Sequence, residues 1–296
     1  MPEPSVTNPI LIGGTGRSGS TILGRILARH PDLYLTDPEE VRFIANNPGM
    51  AVALGTRNAG WPRSMRAKTA ARNAIKRSQG ANFARPNNSG LQKWLTKDEM
   101  RELGDRYLER FGPAPLEATR EFVQAVMDKV AAPAEGRRWV DGTPANARVT
   151  DLIEPIFPDC QVVAIIRDGR DVAASFVEQT FGPNEILDSL REWHKRSLRM
   201  HQAVNACRPG RILTIDMLDM VQNTREETLA EICGFLGISV DAGMMEWFAA
   251  NVSVERAHVG RWRTQFDADT TAQIDALYST LVADLRKHGV RIPLET

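Results

Sequence analysis

Short runs of consecutive apolar residues alternate with amphipathic stretches along most of the chain, and this alternation is the first guide to its fold. "PILIG" (9–13) is an all-apolar run that ends in glycines and leads into "STILGRILARH", the strand, loop, helix order of a buried parallel strand. The helix is expected to stop near His30, because Pro31 disfavours helical backbone in the residue before it. "DLYL" reads as a short second strand. "RRWVDGTPANARVTDLIEPIF" reads as strand, turn and helix, with Thr143 as N-cap and Pro144 at the first helical position. "CQVVAIIRDGRDVAASF" repeats that order with the most strongly apolar strand of the chain, and "RILTI" is a further strand.

Between these units the period becomes helical. A long helix is expected over 185–207, where Ile186, Leu190, Trp193, Met200 and Val204 form a core stripe. "TREETLAEICGFLGI" carries a capping-box pattern, Thr224 with Glu227, and a Gly237 stop. Two amphipathic helices fill 96–131, broken at "FGPAP", with Leu116, Val123, Val126 and Val130 on one face of the second. "PRSMRAKTAARNAIKRSQG" is helical by propensity and bounded by "NNPG" and "RPNNSG". The tail holds a loop, "ERAHVGRWRTQF", and a closing helix over 269–288. Strands alternating with helices predict an α/β fold: a parallel sheet with helices on both faces, forming one domain over 1–296 with a basic helical insertion at 46–132.

Charge changes this picture in one place. The 296 residues carry 37 Lys and Arg against 37 Asp and Glu, a formal net charge of zero that argues against a nucleic-acid partner. Yet 41–97 contains eleven Lys and Arg and no Asp or Glu. No run reaches the roughly 18 apolar residues of a membrane span, and "MPEPSVTNP" lacks the features of a secretory leader. Cys160, Cys207 and Cys233 are far apart and odd in number, so no disulfide framework is expected and a reducing cytoplasm fits. The five histidines show no metal-binding spacing, and no metal is expected.

The candidate chemistry lies in "ILIGGTGRSGSTIL" (10–23). Its spacing is nearly that of a nucleotide-triphosphate loop, with Gly14 and Gly19 as the two glycines and Thr21 last, but the lysine position is Ser20 and the only cation in the turn is Arg17. Such a turn places backbone N–H groups around an anion and aims a helix N-terminus at it. The same residues match a dinucleotide GxGxxG by spacing alone. A kinase-type loop needs its lysine and, on a neighbouring strand, a magnesium-binding Asp. The best such strand, "VVAIIRD", reaches Arg167 before any acid, giving a second cation site, and "RDGRDVAAS" then opens a helix with Ser175 about two turns in. Two anion sites at two strand ends describe a nucleotide phosphorylated in two places.

These residues resemble the sulfotransferases that use 3′-phosphoadenosine 5′-phosphosulfate (PAPS). "GGTGRSGSTIL" is similar to their 5′-phosphosulfate loop, and "AIIRDGRDVAAS" to their 3′-phosphate motif, whose arginine and serine match Arg167 and Ser175. The branch of protein-tyrosine and bacterial glycan or small-molecule sulfotransferases is the nearest in pattern, through His30-Pro31-Asp32 and then Glu39-Glu40-Val41-Arg42. The resemblance covers most of the chain outside 46–132. It implies a P-loop-like sheet, PAPS as co-substrate without a metal, and in-line sulfuryl transfer to a hydroxyl or amine. It implies Glu40 as the general base, with Glu39, Asp37 and Asp141 as rivals, and Arg42 orienting the base or holding the sulfate. Gly16, Arg17, Ser18, Gly19, Ser20 and Thr21 would bind the 5′-phosphosulfate. Arg256, Gly260 and Arg261 or Arg263 would lie in a basic loop over the 3′-phosphate, beside Trp262. Arg170 is expected to make a structural salt bridge. Two departures stand out: Gly142 replaces a lysine common before the "TP" of relatives, and "TIDML" lacks their frequent tyrosine. The basic 41–97 stretch begins one residue after the proposed base and favours an anionic acceptor. A small-molecule kinase and a non-catalytic nucleotide- or polyanion-binding module are the alternatives.

Overall fold

The computed structural model describes residues 8–56, 63–180 and 182–296. Five strands, β1 (Ile10–Gly14), β2 (Leu33–Leu35), β3 (Arg138–Asp141), β4 (Gln161–Ile166) and β5 (Ile212–Asp216), form one parallel sheet in the order β2-β3-β1-β4-β5. The two longest apolar runs lie side by side at its centre, where Ile10 pairs with Gln161 and Gly14 with Ile165. Alternate residues of these strands enter opposite cores. Ile10, Ile12, Val163 and Ile165 face one, and Leu11, Val162, Ala164 and Ile166 the other. Strands covered on both faces carry no polar alternation, which is why they read as continuous apolar runs.

The helices, in chain order, are α1 (Ser20–Leu27), α2 (Met50–Gly55), α3 (Arg63–Gln79), α4 (Lys97–Phe111), α5 (Pro115–Val130), α6 (Thr150–Ile153), α7 (Gly169–Phe176), α8 (Ile186–Asn205), α9 (Arg225–Leu236), α10 (Ala242–Asn251), α11 (Trp262–Gln265) and α12 (Ala268–Lys287). α1, α9 and α10 cover one face through Leu23, Ile26, Leu229, Ile232 and Phe248. The segment between β2 and β3, which holds α2 to α5, buries Ala67, Ala71, Ile75, Phe122 and Val126 in a cluster that also contains Leu11, Trp139 and Val162, so it shares the core of the sheet. A third cluster joins α7, α8, α11 and α12 through Val172, Trp193, Trp262 and Tyr278.

Thr224 and Thr143 stand at the expected N-cap positions, but neither side chain makes the capping hydrogen bond. The Thr224 hydroxyl pairs with Thr228 and not with the backbone at Glu227, because Thr224 has φ −135° and ψ 55° and the capping-box geometry is absent. The Thr143 hydroxyl is 2.8 Å from Asp141 Oδ1, a buried carboxylate that outcompetes the backbone, and the chain continues as a 3₁₀ turn and the four-residue α6 in place of a regular helix. A reciprocal capping box forms instead between Thr96 and Glu99 at the start of α4. Gly237 ends α9 with φ 71°, as its position in the sequence implies.

Candidate active site

The site grows from the C-terminal end of β1. Gly16 (φ 90°), Arg17 (φ 57°) and Gly19 (φ 108°) lie in the left-handed region, and they fold the turn so that α1 starts at Ser20. A Cβ on Gly16 would come within 3.1 Å of Arg196 Nη1 and 3.2 Å of the Phe176 ring, so a side chain there is excluded by both space and backbone conformation. The turn is closed from within by Thr15 Oγ1 and Ser18 Oγ, 2.8 Å apart, and by the Ser18 hydroxyl donating to Gly16 O. α1 has no side-chain cap and no acid in its first turn. Its first N–H groups and its dipole are therefore left for an anion.

This helix start opens into a cavity of about 1070 Å³, at the upper end of ordinary ligand pockets. Ten arginines and only two carboxylates, Glu40 and Glu178, line it among the described residues. Of the five described non-glycine residues with positive φ, three lie on its wall: Arg17, Arg42 and His258. Backbone of this kind costs roughly 1–3 kcal/mol per residue and concentrates at functional sites.

Two strand ends meet on one side of the cavity. Arg17 Nε donates to Ser175 Oγ at 2.9 Å, and Arg167, which follows β4, donates to Arg17 O at 3.1 Å. Arg167 also donates to Ala257 O (2.8 Å) and His258 O (3.0 Å) and lies 3.5 Å from Asp171. Burial pulls the Arg167 pKa down and the Asp171 carboxylate opposes this. Asp171, fully buried, accepts from the N–H groups of Gly260 (2.9 Å) and Trp262 (3.5 Å), so one carboxylate ties the 253–262 segment to α7. Arg256 sits at the rim beside Asn251, and Arg261 pairs with Glu178 and Gln265.

The sequence reading places some residues differently. Ser18 and Gly260 are off the cavity wall: the Ser18 hydroxyl is spent inside the turn, and the Gly260 N–H on Asp171. The start of α7 is capped by Asp168, which accepts from Arg170 N at 2.8 Å, so that helix end points its first donors at its own carboxylate. Trp262 is buried packing, stacked between Arg170 (4.3 Å) and Arg263 (4.5 Å), and of Arg261 and Arg263 only Arg261 reaches the wall. Arg170 is a buried hub on Asp168, Asp275 and Glu295.

On the wall of the same cavity Glu40 Oε2 accepts from Arg42 Nε (2.8 Å) and Nη2 (2.5 Å), while Oε1 has no hydrogen-bond partner among the described residues. The turn that carries them is anchored by Asp141 at the end of β3, which accepts from Val41 N at 3.0 Å, and by Thr143 Oγ1, which accepts from Arg42 N at 3.1 Å. The rival carboxylates are engaged elsewhere. Asp141 is fully buried and receives Val41, Thr143 and Asn146; Glu39 pairs with Arg25 at 2.9 Å; Asp37 pairs with Lys93. None of the three lines the cavity. Gly142 donates to Glu39 O at 2.8 Å, and a Cβ there would stand 3.1 Å from that same oxygen, so the chain packs closely where relatives carry lysine.

Sequence reasoning did not find Arg148 and Arg196, which grip the back of the loop: Arg148 Nη1 donates to Gly14 O (2.7 Å) and Arg196 Nη1 to Thr15 O (2.9 Å). Glu192 and Arg196, four apart on α8, look like a solvated helix pair in the sequence. Only the packing of α8 on the segment after β3 brings these arginines together. No group of three His, Cys, Asp or Glu among the described residues is placed to hold a metal ion, and no described helix is long and apolar enough to cross a membrane.

A parallel sheet whose first strand passes through a glycine turn into an uncapped helix, beside a large cationic cavity, defines the P-loop-like class of anion-binding α/β proteins. Residues 9–242 match the sulfotransferase family, and the chain belongs to that family: it is a sulfotransferase. The fold is similar to that of the sulfotransferase domain of the Synechococcus PCC 7002 olefin synthase (TM-score 0.53, 19% identity, 95% of this chain and 97% of that one). It is also similar to the sulfotransferase domain from the curacin biosynthetic pathway (TM-score 0.59, 16% identity, 97% and 99%) and to sulfotransferase STF1 from Mycobacterium tuberculosis H37Rv (TM-score 0.50, 13% identity, 93% and 77%). No curated protein matches the chain.

Proposed function

We propose that the enzyme moves a sulfuryl group from PAPS to a hydroxyl of an anionic acceptor, with Glu40 as the general base. The observation that carries this is the convergence, in the lining of one cavity, of an uncapped helix start, the linked Arg17, Ser175 and Arg167, and the Glu40 carboxylate. The residues fit the donor nucleotide. The N–H groups and hydroxyls of Ser20 and Thr21, with Arg17, would hold the 5′-phosphosulfate. Arg167, Ser175, Arg256 and Arg261 would hold the 3′-phosphate. Met217, Val221 and Val252 offer an apolar wall for the base, in the region where relatives carry tyrosine. PAPS supplies an activated sulfuryl group on a good leaving phosphate.

Glu40 is held by Arg42 through Oε2 alone, which leaves Oε1 to accept the proton of the attacking hydroxyl. Arg17 and the start of α1 would balance the charge that builds on the leaving phosphate, and Arg42 the charge on the sulfuryl oxygens. Six of the ten cavity arginines pair with a carboxylate; Arg17, Arg77, Arg148 and Arg256 have none among the described residues, and this surplus favours an acceptor of negative charge. Cys160, Cys207 and Cys233 are unpaired in the structure, and the enzyme is taken to work in a cytoplasmic setting.

The test is transfer of radiolabelled sulfate from PAPS, without added metal, to a panel of hydroxylated glycans, peptides, phenols and phosphorylated or carboxylated small molecules. Turnover of ATP with magnesium, and none with PAPS, would overturn the reading in favour of a kinase.

A further inference from the structure

The loop after β1 has two sides. Its N–H side is turned to the start of α1 and is used by the proposed donor site. Its carbonyl side, Gly14 O and Thr15 O, is held by Arg148 and Arg196. Neither arginine is fully employed there. A guanidinium has five N–H donors. Arg148 uses Nη1 alone, on carbonyl oxygens, and has no carboxylate partner among the described residues. Arg196 uses Nε on Glu192 (2.8 Å) and Nη1 on Thr15 O, which leaves Nη2. Both residues are part-exposed and line the cavity.

The electrostatics leave a deficit of negative charge at this spot. The Arg148 pKa is pushed down to about 10 by burial and then by the nearby Arg196 cation, with Glu192 opposing. Arg148 is therefore a cation at neutral pH, held part-buried against a second cation that has one carboxylate. Phe176, whose ring lies 4.8 Å from the Arg196 guanidinium, removes water from one side of it. Part-buried cations without full compensation are costly unless an anion arrives to pair with them.

We propose that Arg148 and Arg196 form an oxyanion subsite for the acceptor, so that the substrate carries a phosphate or carboxylate group in addition to the hydroxyl that is sulfated. This rests on the donor reading above, because it assigns the phosphates of PAPS to Arg17, Arg167 and their neighbours and leaves these two arginines over. Arg148 and Arg196 together keep several N–H donors in reserve, suited to an oxyanion with more than one oxygen.

Thermal stability in the presence of inorganic phosphate tests the subsite, on protein first saturated with adenosine 3′,5′-bisphosphate and, separately, with PAPS. The expected result is a further saturable rise in melting temperature in both forms. Arg148→Gln and Arg196→Gln should each weaken that response by roughly tenfold or more in phosphate concentration, a larger loss than either variant shows in its affinity for the bisphosphate. Acetate in place of phosphate separates a carboxylate acceptor from a phosphate ester by which anion saturates at the lower concentration. No response in either loaded form, or one seen with the bisphosphate but lost with PAPS, would overturn the subsite, since the phosphate would then be absent or merely filling the sulfuryl position. A fall in bisphosphate affinity as large as the fall in the phosphate response, in both variants, would also overturn it, by returning the arginines to the donor site. Failure of wild-type protein to bind the bisphosphate would instead sink the donor reading. The wild-type measurements stand even if a variant does not fold.

Discussion

Arg17 and Ser175, 158 residues apart, are joined by a 2.9 Å hydrogen bond from Nε to Oγ, which ties the loop after β1 to the helix after β4. With Arg167 donating to Arg17 O, the two proposed phosphate sites share their ligands before any nucleotide arrives. Adenosine 3′,5′-bisphosphate is therefore expected to raise the melting temperature without a divalent metal, and ATP to do much less. Arg167→Ala and Ser175→Ala should each weaken that binding by roughly 1.5–3 kcal/mol, the value of a charge-assisted contact. Titration calorimetry checks this. Unchanged affinity in both variants would remove the 3′-phosphate from this corner.

Glu40 has a different role from these cations, and its variant should show a different signature. Glu40→Gln keeps the size of the side chain and removes only its capacity to accept a proton as a base. The expected loss in kcat is roughly 10²-fold or more, with donor affinity nearly intact. Near-full turnover of the variant would send the search for the base back to Glu39, Asp37 and Asp141, or to Glu178, the other carboxylate of the cavity.

Asp171 acts on the donor site through the segment it holds. Its carboxylate takes the N–H groups of Gly260 and Trp262 and balances Arg167, all within the interior. Asp171→Asn keeps the shape but loses the charge, so the segment carrying Arg256 and Arg261 should loosen. We expect faster amide exchange confined to 253–262 and a higher KM for PAPS, with a smaller change in kcat. A variant with wild-type exchange in that segment would refute the tether.

Much of this site was legible in the sequence, and the pattern of what was not is physical. β1, β4 and the loop between β1 and α1 were readable because buried parallel strands and glycine turns are local signals. The motif points to Glu40 and Arg42, and the structure sets them together on the cavity wall. Arg148 and Arg196 were missed because their role exists only when α8 packs on the turn after β3. The cap expected of Thr143 failed for a related reason. A local preference for capping lost to Asp141, whose charge needs every donor within reach. The polar groups of Gly260 and Ser18 are consumed by protein partners that spacing cannot reveal.

Asp141 itself gives a pH prediction. Burial lifts its carboxyl from the ordinary 3.8 to about 6, against hydrogen bonds from Asn146, Val41 and Thr143 that lower it. The folded protein then holds this proton more tightly than the unfolded chain does between about pH 4 and 6. The contribution to stability is fully present below the unfolded value and is lost as pH rises through about 6, a change on the order of 3 kcal/mol at most for a shift of this size. Asp141→Asn does not titrate, so the difference in unfolding free energy between wild type and variant isolates the effect. Wild type should lose stability relative to the variant between pH 4 and 6.5. A flat difference curve would mean that the hydrogen bonds, not burial, set this carboxyl.

The basic stretch at 41–97 gives the last prediction, and the structure divides its charges into two groups. Arg42 and Arg77 line the cavity, and Arg77 is fixed by donating to Asn47 O at 3.1 Å. Arg66, Lys68, Arg72 and Lys76 lie on the exposed side of α3 and make no ion pair among the described residues, while the buried side of the helix packs on α2 and α4. The side chain of Arg63 lies outside the described residues. Charges inside a cavity are screened less by salt than charges on an open helix face, where the Debye length is about 10 Å at 0.1 M. For any acceptor returned by the transfer assay, KM should therefore rise with ionic strength, and the KM for PAPS should rise less. Arg77→Gln should raise the acceptor KM at both low and high salt. Paired neutralisation of Arg66 with Arg72, or of Lys68 with Lys76, should matter only at low salt, because those charges can attract an anion from a distance but do not touch it. If the acceptor KM ignores both salt and all of these substitutions, α3 serves only to complete the core between β2 and β3.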